Sequence, residues 1–320
     1  MTGTTTPAPA GAAAAAPTSP FHLSDEEVRF FDENGYLVLR DRIPRDLVQR
    51  LAEASERWMA DGRRAEAEGR NTGDHHFADR PSGRVLFRVD YLHGKGEPVS
   101  LELLGCPEVL GIAESLAGPN LVPTYESLVL KDEGDGAAVP WHQDAVHPRT
   151  HRIFNIDVYL DSSLAGGGAL RVVPGSHRRR ADVCALTDEH GWDVPGTVVV
   201  EMEPGDVLVH DVMVVHGSEP VLGNRLRRTV YYEFRAAEQI LAEGPWDREW
   251  VDARLRLLPL ALDRWAAVHP DGPRFPWSVD DALRPEPRGD AAAELRIVHG
   301  VHTPGSYCSA GDVPGGAADE

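Results

Sequence analysis

From about Val85 onward the chain breaks into short apolar segments closed by Gly and Pro, and this constrains its fold more than any other feature. The segments run Val85–Tyr91, Tyr125–Leu130, Phe154–Leu160, Ala169–Val173, Thr197–Met202, Asp206–Val209 and Thr229–Phe234. Gly166-Gly167-Gly168, Pro174-Gly175 and Pro204-Gly205 punctuate them. Each is too short for a stable helix, and glycine and proline mark turns. Many short strands joined by turns favour an all-β sandwich or barrel over a parallel α/β sheet. One helix, about Pro107 to Ala117, is expected to interrupt the series.

Helices are expected on both flanks. Ser24-Asp25-Glu26-Glu27 is a capping box, with an acid three residues after a serine N-cap. Gly35 suits the left-handed stop of that helix, and Tyr36 to Leu39 reads as a strand. Pro44 opens a second helix, with Leu47, Val48, Leu51 and Trp58 at helical spacing. Residues 61–80 are polar and read as loop. After Arg235 the pattern turns helical again, with Trp250, Leu257, Leu258, Leu262 and Trp265 on one face and a break at Pro259. Residues 1–20 are Ala, Pro, Thr and Gly with almost no large apolar side chain, and are expected to be disordered. Residues 309–320 read the same way, which leaves 21–308 as a single domain.

Composition excludes several roles. The net charge is −19, from 51 acidic against 32 basic residues, which argues against nucleic acid and anionic membranes as partners. No apolar run is long enough to span a membrane. The alanine run at 12–16 has no basic residue before it and is too short for a signal peptide. Three cysteines, Cys106, Cys184 and Cys308, stand far apart without a CxxC pair. This reads as neither a disulfide framework nor a zinc site, and implies a reducing, cytoplasmic setting.

The most informative stretch is Pro140-Trp141-His142-Gln143-Asp144. In extended chain, residues two apart share a face, so His142 and Asp144 are able to offer an imidazole nitrogen and a carboxylate oxygen to one centre. The best third ligand is His216, after the apolar run Val212 to Val215. Two histidines and a carboxylate on one side of a metal leave open positions, the arrangement of non-haem Fe(II) oxygenases. His147 and His151 are rivals, but they flank a loop-like Pro-Arg-Thr. His177 is expected to pack at a turn. His210 is set aside because its neighbour Asp211 faces the opposite way on a strand. His75, His76, His299 and His302 read as surface, and Lys131 as part of a solvated loop. Eleven residues after His216 comes Arg227, a planar fork suited to a carboxylate.

These residues carry a family resemblance. The stretches Trp141 to Asp144, Gly166 to His177 and His216-Gly217-Ser218 followed by Arg227 resemble the phytanoyl-CoA dioxygenase family. So does the opening, from Leu23 to Leu39, and the likeness runs from about residue 23 to 235. It implies a double-stranded β-helix of the jelly-roll or cupin-like kind, Fe(II) as cofactor, and 2-oxoglutarate and O2 as co-substrates. It implies His142, Asp144 and His216 as iron ligands, and Arg227 with Ser218 on the distal carboxylate of 2-oxoglutarate. Arg88 and Ser127 match further co-substrate positions. The implied reaction is hydroxylation of an unactivated C–H of a small molecule, plausibly a bacterial natural-product intermediate. Desaturation, cyclisation and epimerisation are alternatives at the same centre. Another class, a non-catalytic cupin-like binding module, would predict a broken ligand set. The substrate pocket is expected to draw on residues 70–95, Trp192 and the helices beyond the barrel.

The choice of Arg227 sets two readings against each other. Alternation puts Arg227, Thr229, Tyr231 and Glu233 on one face and Arg228, Val230, Tyr232 and Phe234 on the other. The second face is more apolar, so alternation alone points Arg228 inward. The family's offset from His216 points to Arg227, and a bulge near the strand start would reconcile the two.

Overall fold

The computed structural model describes residues 20–71, 73–80, 83–131, 137–221, 226–286, 288–289, 291–297 and 305–308. The expected disorder of residues 1–19 and 309–320, and Arg225, His299 and His302, lie outside the described residues. Among the described residues eleven strands are formed: β1 (Tyr36–Leu39), β2 (His75–Arg80), β3 (Gly83–Asp90), β4 (Leu121–Lys131), β5 (Val139–His142), β6 (Phe154–Tyr159), β7 (Leu170–Val173), β8 (Val198–Val200), β9 (Val207–Asp211), β10 (Val215–Ser218) and β11 (Arg227–Ala236). They build a seven-stranded sheet, β1-β9-β6-β11-β4-β3-β2, and a four-stranded sheet, β5-β10-β7-β8. All the ladders are antiparallel. This is the double-stranded β-helix with flanking helices that the sequence implied.

The helices are α1 (Asp25–Asn34), α2 (Arg45–Ala67), α3 (Val99–Leu104), α4 (Pro107–Ala117), α5 (Val183–His190), α6 (Ala237–Glu243), α7 (Arg248–Leu255) and α8 (Leu257–Val268). The capping box forms as read: Ser24 Oγ accepts from the Glu27 N–H at 3.3 Å, and the Ser24 N–H donates to Glu27 at 2.7 Å. Ser24→Ala should therefore lower stability by about 1 kcal/mol, read as a denaturant midpoint shift without change of slope. Gly35 ends α1 with φ 78°, and the His177 ring occupies the space a side chain there would need. His177 thus packs at a turn, as expected.

Three local readings are corrected. Residues 61–80 are not loop: α2 continues to Ala67, and His75–Arg80 forms β2. The C-terminal helical stretch breaks at Arg256, not at Pro259. Pro259 lies in the first turn of α8, where a missing N–H leaves no intrahelical bond unmade. Lys131 is not solvated. It ends β4 buried, its Nζ donating to the carbonyls of Ala137 at 3.1 Å and Glu219 at 2.7 Å.

The main core lies outside the barrel. Phe154, Ile156 and Val158 of β6, Val207 and Val209 of β9, and Val230, Tyr232 and Phe234 of β11 all pack into one cluster with the helices. A smaller cluster, Tyr159, Leu170, Val172, Val200, Met202 and Leu208, fills part of the space between the sheets. Because the helices bury the outer face of the large sheet, its inner face is free to carry polar groups. No helix among the described residues is long and apolar enough to cross a membrane.

Candidate active site

Sheet pairing brings the two halves of the site together. His216 on β10 lies opposite His142 on β5, and the register slips between His216 and Ser218. Gly217 sits at that irregularity, where a Cβ would come 2.9 Å from the Val139 carbonyl oxygen. Gln143 points away from its neighbours His142 and Asp144, as alternation requires. Its buried amide donates to the carbonyls of Arg179 (3.0 Å) and Met213 (2.5 Å) and accepts from the Ala181 N–H (2.9 Å). That anchoring fixes the faces of the residues on either side.

His142, Asp144 and His216 converge, with one ligand-type atom from each all within 4.8 Å of one another. Among the described residues they form the one such cluster of histidine, cysteine and carboxylate groups. His142 Nδ1 is bonded to the Pro140 carbonyl at 2.8 Å and His216 Nδ1 to the Val214 carbonyl at 2.9 Å. A carbonyl only accepts, so in each ring Nδ1 carries a hydrogen and Nε2 is the nitrogen left facing the cluster. Both Nε2 atoms face Asp144 Oδ1, at 3.2 and 3.7 Å. Burial, reinforced by nearby His142, lowers the His216 pKa to about 3, so the ring is neutral and able to ligate. The donor set and its orientation fit a divalent transition metal.

Asp144 is held by groups that the sequence reading set aside or missed. Its second oxygen, Oδ2, lies 3.2 Å from Asn155 Nδ2 and 3.2 Å from His210 Nε2. The other nitrogen of His210 is 2.8 Å from Asp157 Oδ2. Burial would lower the His210 pKa, but Asp157 and Asp144 outweigh it and raise it to about 10. His210 therefore lies between the carboxyl groups of Asp144 and Asp157. Burial pushes Asp144 up, and the imidazoles of His216, His142 and His210 hold it well below the usual carboxylate range. A signal for these residues was present: Phe154-Asn155-Ile156-Asp157-Val158-Tyr159 alternates strictly, with its polar members on the inner face. His147, by contrast, bonds only locally to the Pro148 carbonyl at 2.6 Å, and His151 is turned to Thr150. Neither joins the cluster.

Arg227 and Arg228 separate across the large sheet. Arg228 points outward to α2 and to Asp161, with Nε–Oδ2 and Nη2–Oδ1 both 2.8 Å. Its Nη1 donates to Glu56 at 2.6 Å and Ser55 at 3.0 Å. Arg227 points inward and donates to the Gly168 carbonyl. No bulge near the strand start is needed, since the register of β11 with β4 shifts only at Glu233/Phe234. Beside Arg227, Lys131 reaches the Ser218 carbonyl at 3.4 Å, which brings Ser218 to the same end of the barrel. Arg227 Nε, Ser218 Oγ and Thr229 Oγ1 are buried without a hydrogen-bond partner. Such donors are costly to leave unsatisfied, and together they suit an anionic ligand.

Of the other two expected co-substrate residues, Arg88 is already engaged, whereas the buried Ser127 Oγ has no hydrogen-bond partner. Arg88 Nε pairs with Asp90 Oδ1 at 3.0 Å, and Asp90 also accepts from Tyr125 at 2.6 Å and meets His76 at 2.7 Å. His76 is thus part of a half-buried polar cluster and not a surface residue. Ser127 is buried on β4 opposite Tyr231 and close to Tyr125. Trp192 packs on Trp141, with ring centroids 5.2 Å apart and planes tilted by 45°, within an apolar cluster beside α5. The helices after β11 pack on the outer core. The cysteines overturn their expectation as well: Cys184 and Cys308 are joined by a disulfide, which removes the ground on which a reducing setting was inferred.

Residues 31–229 match the family model for phytanoyl-CoA dioxygenase (PhyH). The chain belongs to this family. It is accordingly an Fe(II)- and 2-oxoglutarate-dependent dioxygenase, with O2 as co-substrate. It is 26% identical over 272 residues to the ectoine dioxygenase of Sphingopyxis alaskensis, covering 75% of this chain and 85% of that one. The crystal structure of EvdMO1 is 32% identical with a TM-score of 0.57, covering 66% of this chain. The chain spans half the length of that structure. SnoK, a non-heme alpha ketoglutarate dependent carbocyclase from nogalamycin biosynthesis, shares the fold at 22% identity and a TM-score of 0.55. That match covers 73% of this chain and 96% of SnoK.

Proposed function

We propose that the protein hydroxylates an unactivated C–H bond of a small molecule, a natural-product intermediate, converting 2-oxoglutarate and O2 to succinate and CO2. The observation that carries this is the His142–Asp144–His216 cluster beside buried, unsatisfied donors of Arg227, Ser218 and Thr229. Iron held by the three side chains supplies the activation of O2 coupled to decarboxylation of the 2-oxo acid. The two histidines present their Nε2 atoms, each ring fixed by its carbonyl partner. Asp144 presents Oδ1, while Asn155 and His210 restrain Oδ2 and so favour one-oxygen ligation. Arg227 and Ser218 grip the distal carboxylate of 2-oxoglutarate, and Thr229 adds a donor at the same end. Arg88 and Ser127 stand further along the inner wall, and Arg88 acts there with Asp90 rather than as a free cation.

The intact ligand set disfavours a non-catalytic binding module. A carboxylate at position 144 disfavours halogenation, which needs that ligand position open. Desaturation, ring closure and epimerisation use the same centre, and the carbocyclase that shares the fold keeps ring closure as the second reading. Succinate release on adding Fe(II) and 2-oxoglutarate tests the reading, with product mass deciding the outcome: a gain of about 16 means hydroxylation and a loss of about 2 means desaturation or ring closure. No succinate with any candidate small molecule would sink it.

Removing an outer partner of a ligand should weaken the metal site measurably. His210→Ala removes one of the two partners of Asp144 Oδ2 and should lower Fe(II) affinity by roughly 10- to 100-fold in a competitive chelator titration. Unchanged affinity would show that Asn155 alone orients the carboxylate.

A further inference from the structure

A segment from the far end of the described chain lies against the site. Ser306 pairs with Gln143 through two backbone hydrogen bonds, of 3.0 and 2.9 Å, and its hydroxyl donates to the Ala181 carbonyl at 3.0 Å. The next residue, Tyr307, lays its ring almost parallel to the His142 imidazole, at 5.3 Å between centroids and 19° between planes. Its hydroxyl donates to the Asp144 carbonyl at 3.4 Å. Gly305 is pressed so close that a Cβ would lie 2.5 Å from the carbonyl oxygens of both Gln143 and Asp144. Cys308 then ties the segment to α5 through Cys184.

Tyr307 is therefore held from both sides over the segment that carries His142 and Asp144. We propose that Tyr307 forms the wall of the iron site on the His142 side, limits which molecules reach the metal, and is anchored there by the Cys184–Cys308 link. The proposal rests on the metal reading of the site. Three physical points support it. The tyrosine ring shields the imidazole face with an apolar plane while its hydroxyl finds a backbone acceptor. Gly305 permits a close approach that any side chain would block. A short segment covalently linked at one end and hydrogen-bonded at the other loses little further freedom when it covers the site.

The test uses the full chain loaded with Fe(II), challenged with the bulky chelator bathophenanthroline disulfonate, and follows the rate of iron loss. Tyr307→Ala should lose iron on the order of tenfold faster at unchanged melting temperature, because the shell around a metal controls access to it. Tyr307→Phe, which keeps the ring, should stay near the wild-type rate. Gly305→Ala keeps the tyrosine but lifts the segment and should resemble Tyr307→Ala, which guards against a folding defect in either variant. Cys308→Ser should fall between them. Wild-type rates in both Tyr307→Ala and Gly305→Ala, in chains that bind iron normally, would overturn the wall alone. A wild-type chain that takes up no iron would overturn the metal reading and the wall with it.

Discussion

His216→Ala is expected to abolish both stoichiometric Fe(II) binding and succinate release while leaving the fold in place. His216 Nε2 is one of three donors, and its ring, buried and neutral, has a single protein hydrogen bond, to Val214. The loss should exceed the roughly 10- to 100-fold that removal of an outer partner costs, since a ligand itself is gone. The fold should survive because β10 is held by ladders on both sides, to β5 and β7, which involve its backbone and not the imidazole. Metal content per chain and succinate yield check the first part, and the melting temperature checks the second. A variant that keeps full activity would remove His216 from the site.

Arg227→Ala and Arg228→Ala should fail in different ways. Loss of a two-point, charge-assisted grip on a carboxylate costs on the order of 2–4 kcal/mol. Arg227→Ala should then raise the apparent 2-oxoglutarate requirement about thirtyfold or more, with little change in melting temperature. Arg228→Ala removes the fork on Asp161 and the bonds to Ser55 and Glu56. It should leave the 2-oxoglutarate requirement near wild type and lower stability by roughly 1–2 kcal/mol, discounted because Glu56 is exposed. A 2-oxoglutarate titration paired with a thermal melt separates the two effects. The reverse ranking would place Arg228 at the co-substrate.

The two arginines also show how far local pattern carries. Strand alternation correctly divided residues 227–234 into two faces, since that division follows from backbone geometry alone. It did not tell which face looks inward. The rule that the apolar face points inside assumes that the barrel interior is the core. Here the helices cover the outer side of the large sheet, so Val230, Tyr232 and Phe234 are buried outside the barrel. The same inversion left Asn155 and Asp157 unread on an inner face, while His210 was set aside only because Asp211 beside it faces the other way. The offset of Arg227 from His216 picked out the arginine that points inward, because it encodes the tertiary arrangement of a whole family.

What the sequence alone determined was local or repeated. It contained the punctuated strands, the capping box at Ser24, the Gly35 stop, and the shared face of His142 and Asp144. Each of these depends on neighbours a few residues away, where backbone geometry leaves little choice. Tertiary structure alone decided the contacts across long separations. It carried His210 to Asp144, buried Lys131 at the end of β4, and brought Cys308 to Cys184 across 124 residues. It also laid Tyr307 on His142. Such pairings leave no periodic trace, because the closure of a long loop depends on where its two ends are packed and not on the residues between them.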